Sequence, residues 1–162
     1  MSGSRFLGLA ATIIFVLAPS STSTIARADL VSPVLEAATK LALAKLQTPS
    51  CTALLTDFRD GQGRPLLERM RETGLSAPEY LGSLRIYDGS SLPLCGGRSI
   101  AAVSTPGIAE VGLCSMFQTV GRTTPGLAAV VLIHEMLHAL GLRENPPTSE
   151  EITLQVVRRC GR

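Results

Sequence analysis

The sequence predicts an α+β domain in which helices surround a small, mainly antiparallel sheet. Three observations predict it. The stretches over residues 32–47 and 65–84 are helix-periodic, and the text from about residue 84 to 117 alternates between apolar and polar residues around turn-forming ones. Two further helical stretches, each with a clear start signal, follow that strand-like region.

The first helix is expected over residues 32–47. Ser32 stands at the N-cap, Pro33 occupies the first turn, and Val34, Leu35, Ala38, Leu41 and Ala42 recur at helical spacing until Pro49 stops the run. "SCTALLTDFRD" reads as a short helix ended by "DGQGRP". Gly61 and Gly63 there lack the preceding strand, the third glycine and the lysine of a phosphate-binding loop, so they read as a turn. "PLLERMRETG" is helical up to Gly74, and "APEYLGSL" adds a helical turn. "LRIYDG", "SIAAVST" and "IAEVGLCSMF" read as strands, the last two antiparallel across the turn "TPG". Thr124 and Pro125 then open a helix that runs to Gly141, a natural stop. "ENPP" reads as an extended loop, because a residue before proline avoids the helical region. Thr148 and Glu151 form a capping box for a last helix over 149–160, with Glu150 a surface residue at its start.

Residues 1–28 have the layout of a secretory signal peptide. Arg5 precedes the apolar run "FLGLAATIIFVLA", and Ala26-Arg27-Ala28 predicts cleavage before Asp29. The expected protein is therefore secreted or periplasmic, with residues 29–162 as one domain and no membrane attachment after cleavage. Loss of Arg5 and Arg27 cuts the fifteen basic side chains to thirteen, matching the thirteen acidic ones. A balanced charge with no basic cluster argues against nucleic-acid binding. The four cysteines, Cys51, Cys95, Cys114 and Cys160, are an even set in an oxidising compartment and imply two disulfides. Three pairings are possible. Cys95–Cys114 with Cys51–Cys160 is the one favoured here, closing the strand region and tying the last helix to the first half.

The chemistry concentrates in "VLIHEMLHALGLREN", residues 131–145. The chain has two histidines, and both are here, as His134 and His138. Residues four apart share a helix face, so both imidazoles can reach one point at the ~2.0–2.1 Å that zinc prefers. Glu135 is placed to take a proton from a water held at the same point. Neutral imidazole suits the metal and a carboxylate suits the proton. Zn2+ is thus the expected cofactor.

"HEMLH" resembles the H-E-x-x-H signature of the zincin metallopeptidases. "HEMLHALGLRE" is similar to the longer metzincin pattern, with Gly141 in place and Glu144 where a third histidine would stand; "HALGL" is close to the active helix of matrix metalloproteases. The resemblance covers about eleven residues. It implies a minimal zincin-like fold, a zinc-dependent peptidase activity on peptide or protein substrates, and Glu135 as catalytic base. It also implies an edge strand that holds the substrate, a role that would fall to "IAEVGLC". Glu144 is the expected third ligand by its spacing; Glu151 is the alternative by analogy with gluzincins, but the capping box is the preferred use for Glu151. The chain departs from the family in having no methionine after Met136 and no tyrosine or histidine after the motif. Arg143 and Arg122 are the candidates to stabilise an oxyanion in their place. The competing expectation is a non-catalytic exported domain that uses zinc for stability or binds a partner.

Overall fold

The computed structural model describes residues 32–97 and 99–161; the expected signal peptide and its cleavage point lie outside them. The fold is α+β, with helices gathered on a three-stranded sheet. Helix α1, Pro33–Leu46, begins as expected, with the Ser32 hydroxyl accepting from the Leu35 N–H at 3.1 Å. It buries Ala38, Ala42 and Leu46, one side chain per turn. Pro49 does more than stop it, since it opens a single turn, α2 (Pro49–Thr52), capped by Thr48. A second single turn follows as α3 (Leu54–Asp57). Helix α4, Leu66–Thr73, ends at Gly74 with φ +70°, and α5 spans Ala77–Ser83.

The strands are β1 (Arg85–Asp88), β2 (Ala102–Ser104) and β3 (Glu110–Leu113), in the order β1-β3-β2. β2 and β3 are antiparallel, as expected. β1 runs parallel to β3, so the sheet is mixed rather than mainly antiparallel. The physical reason is the long segment between β1 and β3. A crossover of a dozen residues or more lets two strands run in the same direction, and residues 89–109 supply it. The consequence for "IAEVGLC" is a correction: its strand portion is the middle strand, paired on both sides, and it has no free edge to offer. The outer strands among the described residues are β1 and β2, and of these it is β2 that lines the histidine cleft.

"SMF" is not strand either. It opens α6, Ser115–Thr123. Thr119, Val120, Gly121 and Thr123 are weak helix formers, so packing carries this helix. Phe117 is fully buried, and Gly121 lets the backbone approach α1, where a Cβ would fall 2.1 Å from Val34 Cγ1. Helix α7, Pro125–Ala139, lies at the centre, against α1, α5, α6 and the sheet. Helix α8, Ser149–Cys160, covers its far side and starts with the expected capping box. The disulfides are Cys51–Cys160, joining α2 to the end of α8, and Cys95–Cys114, joining a 3₁₀ turn at Pro93–Gly96 to the end of β3. Both match the favoured pairing. Between α7 and α8, "ENPP" is a tight turn rather than an extended loop. Asn145 takes a left-handed φ of +66°, which its short polar side chain tolerates, and its N–H donates to the Pro147 carbonyl at 2.7 Å.

Candidate metal centre

Every residue of α7 from Leu132 to Ala139 is buried. A helix apolar on all sides belongs in a core, and α7 fits that rule except at three positions. His134, Glu135 and His138 are each only 6% exposed, and with Asp60 they make up the buried polar residues among those described. Burying such groups without partners costs several kcal/mol each, on the order of 2–7. Each one has a partner.

The end of α7 supplies the first. Gly141, at φ +111°, donates its N–H to the His138 carbonyl at 2.7 Å, and Leu142 donates to the Leu137 carbonyl at 3.1 Å. These are the two bonds of a Schellman stop, which only a residue at ease with positive φ allows. The stop turns the Leu142 carbonyl back towards the helix, where it lies 2.8 Å from His138 Nδ1. A carbonyl can only accept, so Nδ1 carries the hydrogen, and in the neutral ring Nε2 presents its lone pair. For His134 the partner is the Thr153 hydroxyl on α8, 3.0 Å from Nδ1. Asp60 secures the turn from below. Its carboxylate accepts from the N–H groups of Gln62 and Arg64 and from the Arg64 guanidinium. Its own loop bridges to Leu142, with Gly61 donating to the Gly141 carbonyl at 3.2 Å. Burial works against ionisation of Asp60, but these donors outweigh it and hold its carboxyl below the usual range.

The two Nε2 atoms stand 3.0 Å apart, and a Glu144 oxygen lies 3.3 Å from His138 Nε2 and 3.8 Å from His134 Nε2. Two donors each ~2.0–2.1 Å from one tetrahedral zinc would stand about 3.3 Å apart. The observed spacings bracket that value. His134, His138 and Glu144 could therefore hold a metal ion, and their donor atoms all fall within 4.8 Å of one another. Burial, with help from His138 and against the pull of Glu144, lowers the His134 pKa to about 4, so the ring is neutral and able to bind metal at ordinary pH.

No protein-family model, no curated protein and no solved structure matches this chain. The site must be judged on its own geometry.

Glu135 lies beside the cluster. Its Oε2 accepts from the Ser104 hydroxyl at 2.5 Å, a bond from β2 to α7. Burial raises its pKa most, and the charge of Glu144 raises it further; Ser104 and His138 pull the other way without cancelling the rise. A carboxyl shifted upward in a cleft is poised to exchange protons. The cluster and Glu135 line an open cleft of about 500 Å³, whose other walls include Leu94, Ile100, Ala102, Val103 and Pro106.

Of the remaining nominated residues, the structure brings none into the cleft. Glu151 is exposed and accepts from the Thr148 N–H at 2.8 Å within the capping box, the bonds that hold its carboxyl below the usual range. Glu150 is exposed on the first turn of α8. Arg143 lies over Gly61, where a Cβ would meet its Nε, and Arg122 is exposed in the last turn of α6. Neither arginine lines the cleft. Sequence reasoning missed Ser104, Thr153 and Asp60, partners from other elements, and the Leu142 carbonyl, four residues beyond His138. Asp60 alone carried a signal, as the start of a glycine-rich turn that a short polar side chain can close upon itself.

Proposed function

We propose that the protein is an exported, zinc-dependent peptidase of minimal zincin-like architecture. His134, His138 and Glu144 hold the metal, and Glu135 acts as general base and proton shuttle. The observation that carries this reading is the convergence of three protein donors, with no fourth among the described residues, at the wall of an open cleft. Closed four-ligand sites serve structure, while three ligands and a free position serve catalysis. Zinc, when bound, lowers the pKa of a water to about 7 and polarises a carbonyl.

This chain's own groups do the rest. Leu142 and Thr153 fix the orientation of the two rings. Ser104 holds one oxygen of Glu135, leaving the other to take a proton from the attacking water and deliver it to the departing amine. The free edge of β2 lies along the cleft, because Ala102, Val103 and Ser104 line it, and it can pair with the backbone of an extended peptide or protein substrate. Two disulfides and the expected signal peptide support a secreted or periplasmic location, and no described helix is long and apolar enough to cross a membrane.

The test is to purify the protein, measure its zinc, and compare wild type with Glu135→Gln on an unstructured protein substrate. About one zinc per chain in both, with cleavage only by wild type, is the expected result. A second reading, a non-catalytic domain with structural zinc, is favoured by one observation. Among the described cleft residues no arginine, lysine or tyrosine is available for an oxyanion. That reading expects zinc in both proteins, a lower melting temperature on chelation, and no cleavage by either.

A further inference from the structure

We infer that an apolar hollow on the outer face of the sheet is a side-chain subsite, which takes a bulky aliphatic or aromatic residue of an extended peptide lying along β2. The identity of the occupant rests on the peptidase reading of the adjoining cleft.

The sheet has two different faces. In the ladder Tyr87, Gly112 and Val103 stand in one row, while Ala102 and Ser104 alternate to the other side, where Ser104 reaches Glu135 on α7. The row containing Val103 therefore faces away from α7. It is covered in part by Leu92 and by the 3₁₀ turn that carries Leu94. Gly112 suits this cover, since a Cβ there would lie a tight 3.1 Å from the Tyr87 ring and 3.2 Å from Leu92. What remains is a hollow of about 320 Å³ whose apolar walls are Tyr87, Leu92, Pro93, Leu94, Val103 and Ile108, with Ser104, Thr105 and Glu110 completing the lining.

Two of these walls are exposed apolar side chains, Leu94 at 65% and Ile108 at 50%. The backbone beside Leu94 is pinned, because Cys95 is buried and bonded to Cys114. The hollow is also continuous with the cleft beside the histidines, sharing Leu94, Val103 and Ser104 with it. A pinned, exposed apolar cluster next to a cleft marks a binding surface more than a packing defect.

The occupant follows from the free edge of β2. Among the described residues no strand pairs with that edge. A peptide added there would alternate its side chains with a period of two. Residues pointing towards α7 would face the metal cluster and Glu135, and their immediate neighbours would point over Val103 into the hollow. The hollow thus reads the residue next to the one presented to the metal, and an apolar side chain fits its walls.

The experiment measures binding and turnover separately. Fluorescein-labelled Ala/Ser peptides, in which a single Leu is moved along the chain, are titrated into zinc-loaded Glu135→Gln protein and followed by anisotropy. Leu at one position is expected to tighten binding by about 10- to 100-fold over the peptide without it. That preference should vanish in Ile108→Asp and fall in Leu94→Ser, with zinc content and melting temperature unchanged in at least one of the two. Equal affinity for all peptides, no binding of any, or a preference that survives both variants overturns the inference. Cleavage of the same peptides by wild type judges the peptidase reading by itself. Selective binding without turnover sinks that reading and keeps the subsite, and turnover without a Leu preference does the reverse.

Discussion

Helices α7 and α8 are neighbours in sequence and pack against each other, yet they treat the same residue type in opposite ways. α7 is buried on nearly every side, whereas α8 buries one stripe, Ile152, Val156 and Cys160, and leaves its first turn in water. Glu135 on α7 is sealed against Ser104, and burial raises its pKa. Glu151 on α8 is solvated, caps its own helix, and has its pKa lowered by those capping bonds. The chemical potential of a glutamate is set by what surrounds it. Buried, it becomes a proton acceptor that needs a partner from elsewhere. Exposed, it does local work that its own helix specifies.

That contrast is open to direct attack. The largest effect is expected from His138→Ala on α7, which removes a proposed zinc ligand. Zinc measured after dialysis should fall from about one per chain to near nothing, and wild type stripped by a chelator should match the variant in melting temperature. Retention of zinc by His138→Ala would place the metal elsewhere. Next is Glu135→Gln, expected to keep its zinc and lose about 10²- to 10⁴-fold in kcat. Its melting temperature should equal or exceed that of wild type, because an amide keeps the Ser104 bond without burying a charge. A clear loss of stability would show that Glu135 serves the fold.

Crossing to α8, Thr153→Val deletes the hydroxyl that orients His134 and keeps the side-chain shape. Zinc affinity, from competition with a coloured chelator, should weaken by about 10- to 100-fold while helix content by circular dichroism stays constant. Unchanged affinity would mean that His134 needs no help from α8. The smallest effect belongs to Thr148→Ala, which removes the cap. It should cost about 0.5–2 kcal/mol in denaturant unfolding and leave zinc affinity untouched. A fall in zinc affinity there would mean that the start of α8 and the metal cluster are coupled through the Asn145 turn.

How much of this was legible beforehand differs between elements for physical reasons. The limits of α7 were readable because Thr124-Pro125 and Gly141 are local signals, and the i, i+4 geometry of His134 and His138 follows from helix pitch alone. The antiparallel pairing of β2 and β3 was readable for the same reason, as a short turn joins them. The place of β3 in the middle of the sheet was not, since strand order depends on where β1 arrives after a long crossover. Helix α6 was hidden because its residues favour strand or turn, and only the burial of Phe117 and the contact of Gly121 with Val34 make it helical. The preference for Glu144 over Glu151 beside the histidines was readable, because the capping box already gave Glu151 a local partner, and the structure gathers Glu144 with the two imidazoles.

The sequence by itself determined the two imidazoles, the carboxylate between them, the turn that stops their helix and the even set of cysteines. Each depends on residues close together in the chain, or on compartment chemistry. Only the tertiary structure decided that Thr153 orients His134, that Ser104 holds Glu135, and that β2 rather than β3 borders the cleft. Those outcomes depend on contacts between separate elements, 19 residues apart for Thr153 and His134 and 31 for Ser104 and Glu135. Local periodicity carries no record of such contacts, and they exist only once the core has closed around α7.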